Sequence, residues 1–300
     1  MRIVILGAAG RLGAALARAY REKFDVVDFN HAQLDLANRD QIKTKLSPLG
    51  FDLLLNCAAF TNVDLCESKR EEAFAINAEA PKLLSEICRN KKAKLIHFST
   101  DYVFDGEKRE PYIEEDPPKP ISAYGESKRA GEENVLAVDD HHLVVRVSWV
   151  FGPHRPSFID AMIKRAGEEE QVDAVADKFS TPTYTRDIVE MLSHVWNWRA
   201  LAPDGSEASR LQGILHFANT GQCSWQEYAQ HAIDCCHKLK IPLKAKTVGA
   251  LKLADMQNWV ARRPVYSVLS TAKYTKLTGI TPRSWREAVS DYIERSYSKK

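Results

Sequence analysis

The chain has 300 residues, 44% of them hydrophobic and 27% charged, with 42 Lys and Arg residues against 40 Asp and Glu residues. This composition is typical of a globular protein with one large or two modest domains, and it excludes a chain that is largely disordered. The net charge of +2 lacks the basic excess of nucleic-acid-binding proteins, and no apolar run reaches the roughly 20 residues that span a bilayer. We therefore expect a cytoplasmic protein with neither a nucleic-acid nor a membrane partner.

The six cysteines form neither a CxxC pair nor a Cys/His cluster with the spacing of metal ligands. This pattern predicts free thiols in a reducing compartment. Cys235 and Cys236 are neighbours in a helical pattern, so we expect that they do not both face inward.

Strand-like runs alternate with helical patterns along the first half of the chain. The apolar runs cover 2–6, 24–29, 52–56, 93–98 and 142–147, and the helical patterns cover the stretch up to about 23 and the ranges 39–46, 68–90 and 123–138. Ser68 and Glu71 have the spacing of a capping box at the start of the third helix. The alternation predicts an α/β protein with a doubly wound parallel sheet of the Rossmann type.

The second half of the chain is less regular. Helices are predicted over 157–169, 186–199, 225–239 and 285–297, and the last two follow capping boxes at Ser224/Glu227 and Ser284/Glu287. The segment 202–212 contains Pro-Asp-Gly-Ser and predicts an exposed loop.

Three of the 14 glycines fall within the seven residues 7–13, between the first strand and the first helix. A helix N-terminus presents free amides and partial positive charge, and a turn without Cβ atoms lets a pyrophosphate approach the backbone. The spacing GxxGxxG differs from the GxGxxG fingerprint, and a tight turn without a ligand is the alternative.

Tyr124 and Lys128 lie four residues apart and therefore on one face of a predicted helix. A nearby cation lowers the pKa of a phenol, so this pair suits reversible proton transfer to a carbonyl group. Thr100 follows the fourth strand, at the edge of the sheet where ligands bind, and predicts a hydroxyl that holds the same oxygen. We expect Ser99 to satisfy backbone groups only.

The sequence resembles the extended short-chain dehydrogenase/reductases, and within them the dTDP-4-dehydrorhamnose reductases. The resemblance rests on GAAGRLG (7–13), LDL (34–36), NCAAFTNVDLCES (56–68), STDYVFDG (99–106), PYIEEDPPKPISAYGESKRAGE (111–132), RVSWVFG (146–152) and ARRPVYSVL (261–269). The resemblance implies an NAD(P)-binding Rossmann domain over 1–149 and a smaller, discontinuous sugar-nucleotide-binding domain, mainly 150–300, with a return to the first domain near 214–217.

The resemblance implies reduction of the 4-keto group of dTDP-4-dehydro-L-rhamnose to dTDP-L-rhamnose. Tyr124 would supply the proton, Thr100 would hold the oxygen, and Lys128 would bind the nicotinamide ribose and tune Tyr124. The implied sugar-nucleotide contacts, besides Thr100, are Val63, Asp101, Trp149 and Arg263. The implied cofactor contacts, besides Tyr124 and Lys128, are Gly7, Ala9, Gly10, Arg11, Leu12, Gly13, Asn30, Asp35, Leu36, Ala58, Ala59 and Thr61.

Two departures from the family pattern bear on cofactor and metal. The second strand ends in Asn30-His31 where an acidic residue would bind a ribose 2′-hydroxyl, and Arg11 lies in the glycine turn, so NADPH is favoured, with NADH as the alternative. Ala15 and Arg186 stand where some relatives carry the carboxylates of an interface magnesium site. We therefore expect no metal, and a homodimer stays open.

Other activities of the same fold are weighed against this one. Dehydratases have a Glu where this chain has Tyr102, so dehydration is disfavoured. Epimerases use the same Tyr/Lys pair, and an epimerase or another nucleotide-sugar reductase stays open. A non-catalytic alternative is a dinucleotide-binding regulatory subunit similar to the β subunit of methionine adenosyltransferase, which shares the DYVFDG segment.

Overall fold

A computed structural model describes residues 1–200 and 212–298, with the side chains of 196–200 left out of the description. The strands in chain order are β1 (Arg2–Leu6), β2 (Asp25–Phe29), β3 (Leu53–Asn56), β4 (Lys94–Thr100), β5 (Leu143–Val147), β6 (Val150–Phe151), β7 (Val172–Val175), β8 (Phe179–Ser180), β9 (Thr183–Tyr184), β10 (Gly213–Phe217), β11 (Cys223–Ser224) and β12 (Val248–Leu251). The α-helices are α1 (Arg11–Tyr20), α2 (Arg39–Leu46), α3 (Val63–Ser68), α4 (Arg70–Phe74), α5 (Ala80–Lys91), α6 (Ala123–Val138), α7 (Phe158–Glu168), α8 (Thr185–Ala200), α9 (Trp225–Lys238), α10 (Ala272–Thr278) and α11 (Trp285–Tyr297).

Six parallel strands form the central sheet in the order β2-β1-β3-β4-β5-β10. Alternate residues of each strand face opposite sides. Ile3 and Ile5 pack toward α1, α8 and α10, whereas Val4 and Leu6 pack toward α2, α5 and α6. Helices therefore cover both faces, which confirms the predicted doubly wound sheet. The strand order reverses between β1 and β3, where such folds bind ligands beyond the carboxyl ends of the strands.

The helix predicted over 68–90 is interrupted. Asn62 caps α3 by accepting a hydrogen bond from the Leu65 amide, and Ser68 ends this helix instead of starting the next one. A π-helical turn, Ala75–Glu79, follows α4 and leads into α5. Within this turn the Asn77 side chain bonds both backbone groups of Phe60, with distances of 2.8 and 3.0 Å, so a contact distant in sequence replaces the regular helix.

The remaining helices form a second layer beside the sheet. Helices α7, α9 and α11 pack on each other, and α7 and α9 also pack on the parallel pair β7 and β12. The predicted capping boxes at Ser224 and Ser284 are both present. Cys235 and Cys236 are both buried, which corrects the expectation that one of them faces outward, because α9 is covered by neighbours on two sides. Residues 201–211 of the loop predicted over 202–212 lie outside the described residues.

Candidate active site

A cleft of about 690 Å³ opens at the carboxyl ends of β1, β3 and β4. It is lined by most of the residues proposed from sequence, among them Gly7, Ala9, Gly10, Arg11, Leu12, Asp35, Leu36, Ala58, Ala59, Thr61, Val63, Thr100, Asp101, Tyr124, Lys128 and Trp149. Gly13, Asn30 and Arg263 do not line it. Its volume is in the range of cofactor and ligand sites.

The glycine turn forms one end of the cleft. Gly7 has a φ of +77°, and a Cβ on it would lie 2.8 Å from the Ala58 amide nitrogen, so only glycine fits there. A Cβ on Gly13 would lie 2.3 Å from the Gly7 carbonyl oxygen. Gly13 therefore lets α1 approach the turn and is not itself exposed to the cleft. No side chain caps α1 and its first turn carries no acidic residue, which leaves an N-terminus suited to an anion.

The Arg11 side chain lines the cleft and is engaged by backbone carbonyl groups. Its guanidinium donates to the carbonyl oxygens of Val150 (2.9 Å), Arg155 (3.2 Å) and Pro156 (2.5 Å). These three hydrogen bonds hold the glycine turn against the segment 150–156. Because the guanidinium is already engaged, Arg11 does not favour NADPH over NADH. The cation that sequence reasoning missed is Arg155, which lines the cleft in a region where the resemblance is weak.

The end of β2 is folded into a local turn. The backbone amide of Asn30 donates to Gln33 Oε1 (2.9 Å), and the backbone amide of Gln33 donates to Asn30 Oδ1 (3.1 Å). The side chain of Asn30 is therefore engaged outside the cleft. His31 lines the cleft in its place, with Nε2 at 3.6 Å from Asp35 Oδ1. The polar groups that face the cleft at this end are therefore the imidazole of His31 and the carboxylate of Asp35, and not the side chain of Asn30.

Thr100 and Tyr124 meet on the floor of the cleft. Thr100 ends β4, and its hydroxyl accepts a hydrogen bond from the Tyr102 amide (3.2 Å) at the start of a 3₁₀ turn. Tyr124 lies in the first turn of α6, which Ser122 caps, and its ring packs edge-on against Tyr102 at 5.6 Å. The fold thus places the predicted hydroxyl pair side by side.

The pKa of Tyr124 is raised, not lowered as the Tyr/Lys spacing predicted. Burial of the phenol is the main cause; the hydrogen bond with Thr100 opposes it, and the negative charge of Asp101 adds to it. Lys128 lies on the same helix face but its Nζ donates to the Phe98 carbonyl oxygen (2.7 Å), so it does not offset the burial. A phenol with a raised pKa stays protonated at neutral pH and is available as a proton donor.

Asp101 is buried, and both oxygens of its carboxylate accept hydrogen bonds from protein hydroxyls. Oδ1 accepts from Thr100 (3.1 Å), and Oδ2 accepts from Ser148 (3.1 Å), Ser180 (3.1 Å) and Ser267 (2.5 Å). Asp101 lines the cleft, and its contact with a sugar stays a prediction. Through these hydrogen bonds it also joins the end of β4 to Ser148, Ser180 and Ser267.

Trp149 lines the cleft, whereas Arg263 lies behind its lining. Trp149 adopts a φ of +39°, and its buried indole Nε1 has no acceptor among the described residues, a combination typical of functional sites. Arg263 is bound to Asp64 (2.6 Å) and lies 4.0 Å above the Trp259 ring. Its side chain is largely buried, and it reaches the rim of the cleft only through Asp64, next to Val63.

Ser99 also differs from expectation. Its Oγ is buried, lines the cleft and has no hydrogen-bond partner in the described part of the chain. The idea that Ser99 satisfies backbone groups is therefore wrong.

Comparison with known proteins covers the whole chain. The model of the family described as RmlD substrate binding domain matches residues 1–298. A dTDP-4-dehydrorhamnose reductase of Mycolicibacterium smegmatis is 36% identical over 296 residues, 97% of this chain and 85% of the relative. A probable dTDP-4,6-dihydroxy-2-methyloxan-3-one 4-ketoreductase of Streptomyces antibioticus is 35% identical over 294 residues, 97% of this chain and 94% of the relative. The crystal structure of the Bacillus anthracis dTDP-4-dehydrorhamnose reductase in complex with NADP has a TM-score of 0.87 and 31% identity, and covers 98% of this chain and 99% of that one.

The chain belongs to the RmlD family. This confirms the resemblance drawn from the seven motifs, six of which contribute residues to the cleft just described. Members of this family include proteins named dTDP-4-dehydrorhamnose reductase.

Two further features of this RmlD-family chain concern metal and membrane. Among residues 1–200 and 212–298, one group of side chains has ligand atoms close enough for a metal: Asp139, Asp140 and His141. It follows α6, at the sheet edge opposite the cleft, and its members are mostly exposed. No helix in the described ranges is long and apolar enough to cross a membrane.

Proposed function

We propose that this protein reduces the 4-keto group of dTDP-4-dehydro-L-rhamnose to give dTDP-L-rhamnose, with NADPH as the cofactor and NADH as the alternative. The observation that carries the proposal is the pairing of Thr100 with a protonated, buried Tyr124 in a cleft that begins at a helix N-terminus without a cap. The name and the bound NADP of the B. anthracis structure support the choice of substrate and cofactor.

The residues at the glycine turn fit a dinucleotide. Gly7 lets the turn pack closely against the backbone of Ala58, and the amides at the start of α1 have no competing side chain, which leaves them free for a pyrophosphate. Arg155 and His31 add positive or protonatable groups in the same cleft. The cofactor, when bound, supplies the hydride that reaches C4 of the sugar.

The protein supplies the proton and holds the oxygen. As C4 gains the hydride, its oxygen becomes an alkoxide, and the phenol of Tyr124 gives its proton to that oxygen to complete the alcohol. Thr100 lies within hydrogen-bond reach of Tyr124, and its hydroxyl hydrogen, which Asp101 accepts in the structure, would turn to the sugar oxygen and hold it there. Burial of both groups excludes water and strengthens these interactions.

The other residues set the surroundings of that step. Trp149, whose indole N–H has no partner among described residues, and Val63 border the place where the sugar would lie. Asp101 holds the hydroxyl of Thr100 from behind, while Arg263 supports the rim through Asp64. We also assign residues 1–149 and the strand 213–217 to the dinucleotide-binding part and most of 150–300 to the sugar part.

The proposal is tested by mixing purified protein with dTDP-4-dehydro-L-rhamnose and NADPH and following absorbance at 340 nm. Oxidation of NADPH with formation of dTDP-L-rhamnose supports it. Binding of the cofactor without oxidation would favour the regulatory-subunit alternative, and conversion without net oxidation would favour an epimerase. A homodimer and a cytoplasmic location stay predictions, which light scattering and cell fractionation can check.

A further inference from the structure

Lys178, which directly precedes β8, carries an amino group in an unusual environment. Its side chain is completely buried, and its Nζ has no hydrogen-bond partner among residues 1–200 and 212–298. An ammonium has three N–H donors, and burial of a charge without compensation is costly. Lys178 therefore needs stabilising contacts of another kind.

Two aromatic rings supply these contacts. Lys178 Nζ lies 5.3 Å from the centre of the Tyr102 ring and 5.2 Å from the centre of the Trp149 ring. Both distances are within the limit of about 6 Å for a cation–π interaction, which is strongest where water is excluded. Tyr102 follows β4, and Trp149 lies between β5 and β6. A single cation thus connects two rings that come from different parts of the fold.

The two rings are walls of the cleft, whereas Lys178 lies behind them. Tyr102 and Trp149 line the cleft, and Lys178 does not. Tyr102 also packs edge-on against Tyr124, so its position matters next to the proposed proton donor. Trp149 has a φ of +39°, which is unfavourable for a bulky residue and persists only where the surroundings hold it. The shape of this part of the cleft therefore depends on the group that packs behind the two rings.

The charges near Lys178 are of both signs. Burial lowers the pKa of Lys178 to about 8, whereas the carboxylate of Asp101 acts to raise it and the guanidinium of Arg263 acts to lower it further. Lys178 is therefore mainly an ammonium at neutral pH and loses its charge in mildly alkaline solution. Burial raises the pKa of Tyr102, so that phenol stays neutral over the same range. The hydroxyls that bind Asp101 are neutral, and the ammonium of Lys178 offsets part of its charge.

We propose that Lys178 is a positioning residue for the sugar: its ammonium holds the rings of Tyr102 and Trp149 at the spacing that the sugar of the nucleotide requires. Lys178 acts through these rings and does not touch the ligand. The identity of the ligand as a sugar nucleotide rests on the proposed function, whereas the hold on the two rings does not. Removal of the charge should therefore weaken recognition of the sugar, and not of the nucleotide or the cofactor.

Calorimetric titration of the Lys178→Met variant tests this division, because Met keeps the apolar stem and lacks the charge. The Kd for dTDP-L-rhamnose should rise about tenfold, the scale of one desolvated cation–π contact, while the Kd values for dTDP and NADPH stay within about twofold. Lys91→Met is the matched control, since it removes a cation that lies 5.7 Å from the Phe51 ring outside the cleft, and it should change none of the three. Equal losses for dTDP and dTDP-L-rhamnose, or no loss at all, overturn the proposal.

The parent protein offers the same comparison without a substitution. As the pH rises through the pKa of Lys178, the affinity for dTDP-L-rhamnose should fall and that for dTDP should not. Lys128, whose pKa burial also lowers to about 8, titrates in the same range, so the fall must be absent from Lys178→Met. A fall of equal size in the variant assigns it to another group and overturns the proposal.

An NMR measurement tests the hold on the rings without any ligand. In protein labelled with ¹⁵N at its six tryptophans, the indole N–H signal of Trp149 is the one missing from the Trp149→Phe variant. This signal should move between about pH 6.5 and 9.5 as Lys178 loses its proton, and it should stay in place in Lys178→Met. A signal that does not move in the parent, or that moves equally in Lys178→Met, overturns the proposal. Failure of the parent to bind dTDP-L-rhamnose would instead contradict the proposed function.

Discussion

Replacing Tyr124 by Phe removes one oxygen from the proposed site and little else. The ring is buried against Tyr102, with centroids 5.6 Å apart, and Phe keeps this packing. The lost hydrogen bond with Thr100 costs about 1 kcal/mol of folding free energy, which the protein tolerates. The lost proton donor should lower kcat by a factor of about 10²–10⁴, equivalent to about 3–5 kcal/mol in the barrier.

Initial rates of NADPH oxidation at 340 nm measure this effect, and fluorescence titration measures cofactor affinity in the same samples. Affinity should stay within about threefold, because the glycine turn is unchanged. Tyr274→Phe is the matched control, since it removes a buried hydroxyl that contacts His194 outside the cleft. Turnover of Tyr124→Phe within about tenfold of the parent protein would refute the assignment of Tyr124 as proton donor.

Three further substitutions test other parts of the account. Glu132→Gln leaves the guanidinium of Arg146 buried without its carboxylate and should lower the free energy of unfolding in urea by about 3–5 kcal/mol; a loss below about 1 kcal/mol would contradict a buried ion pair. Arg11→Met removes the hydrogen bonds to the segment 150–156 and should lower the affinities for NADPH and NADH to a similar degree in parallel titrations. A loss of affinity for NADPH alone would instead indicate that Arg11 binds the ribose phosphate. Arg263→Met removes the partner of Asp64 at the rim and should raise KM for the dTDP-sugar about tenfold with a smaller change in kcat, and the reverse pattern would move Arg263 to the chemical step.

The sequence predicts the scaffold well, because local patterns specify it. Apolar runs locate the first five strands of the central sheet to within two residues, and the capping boxes at Ser224 and Ser284 mark the starts of α9 and α11. The sheet topology then brings Thr100 and Tyr124 together, since the end of a central strand and the start of the following helix meet at one edge.

Directions of side chains were less predictable, because distant residues decide them. The partners of Arg11 lie 139 to 145 positions away, and Ser267, which binds Asp101, is 166 positions away. No local pattern around residue 11 or 101 reports such contacts. The pKa of Tyr124 is a similar case, because its burial by the whole fold outweighs the spacing to Lys128.

The central claim is the reduction of a 4-keto sugar nucleotide with proton transfer from Tyr124. Incubation of the protein with dTDP-4-dehydro-L-rhamnose and NADPH deuterated at the transferred position, followed by mass spectrometry and NMR of the sugar, tests it most directly. We expect dTDP-L-rhamnose that carries one deuterium at C4, formed in an amount equal to the NADPH oxidised. Recovery of the unreduced ketone, with the cofactor bound and unoxidised, would contradict it.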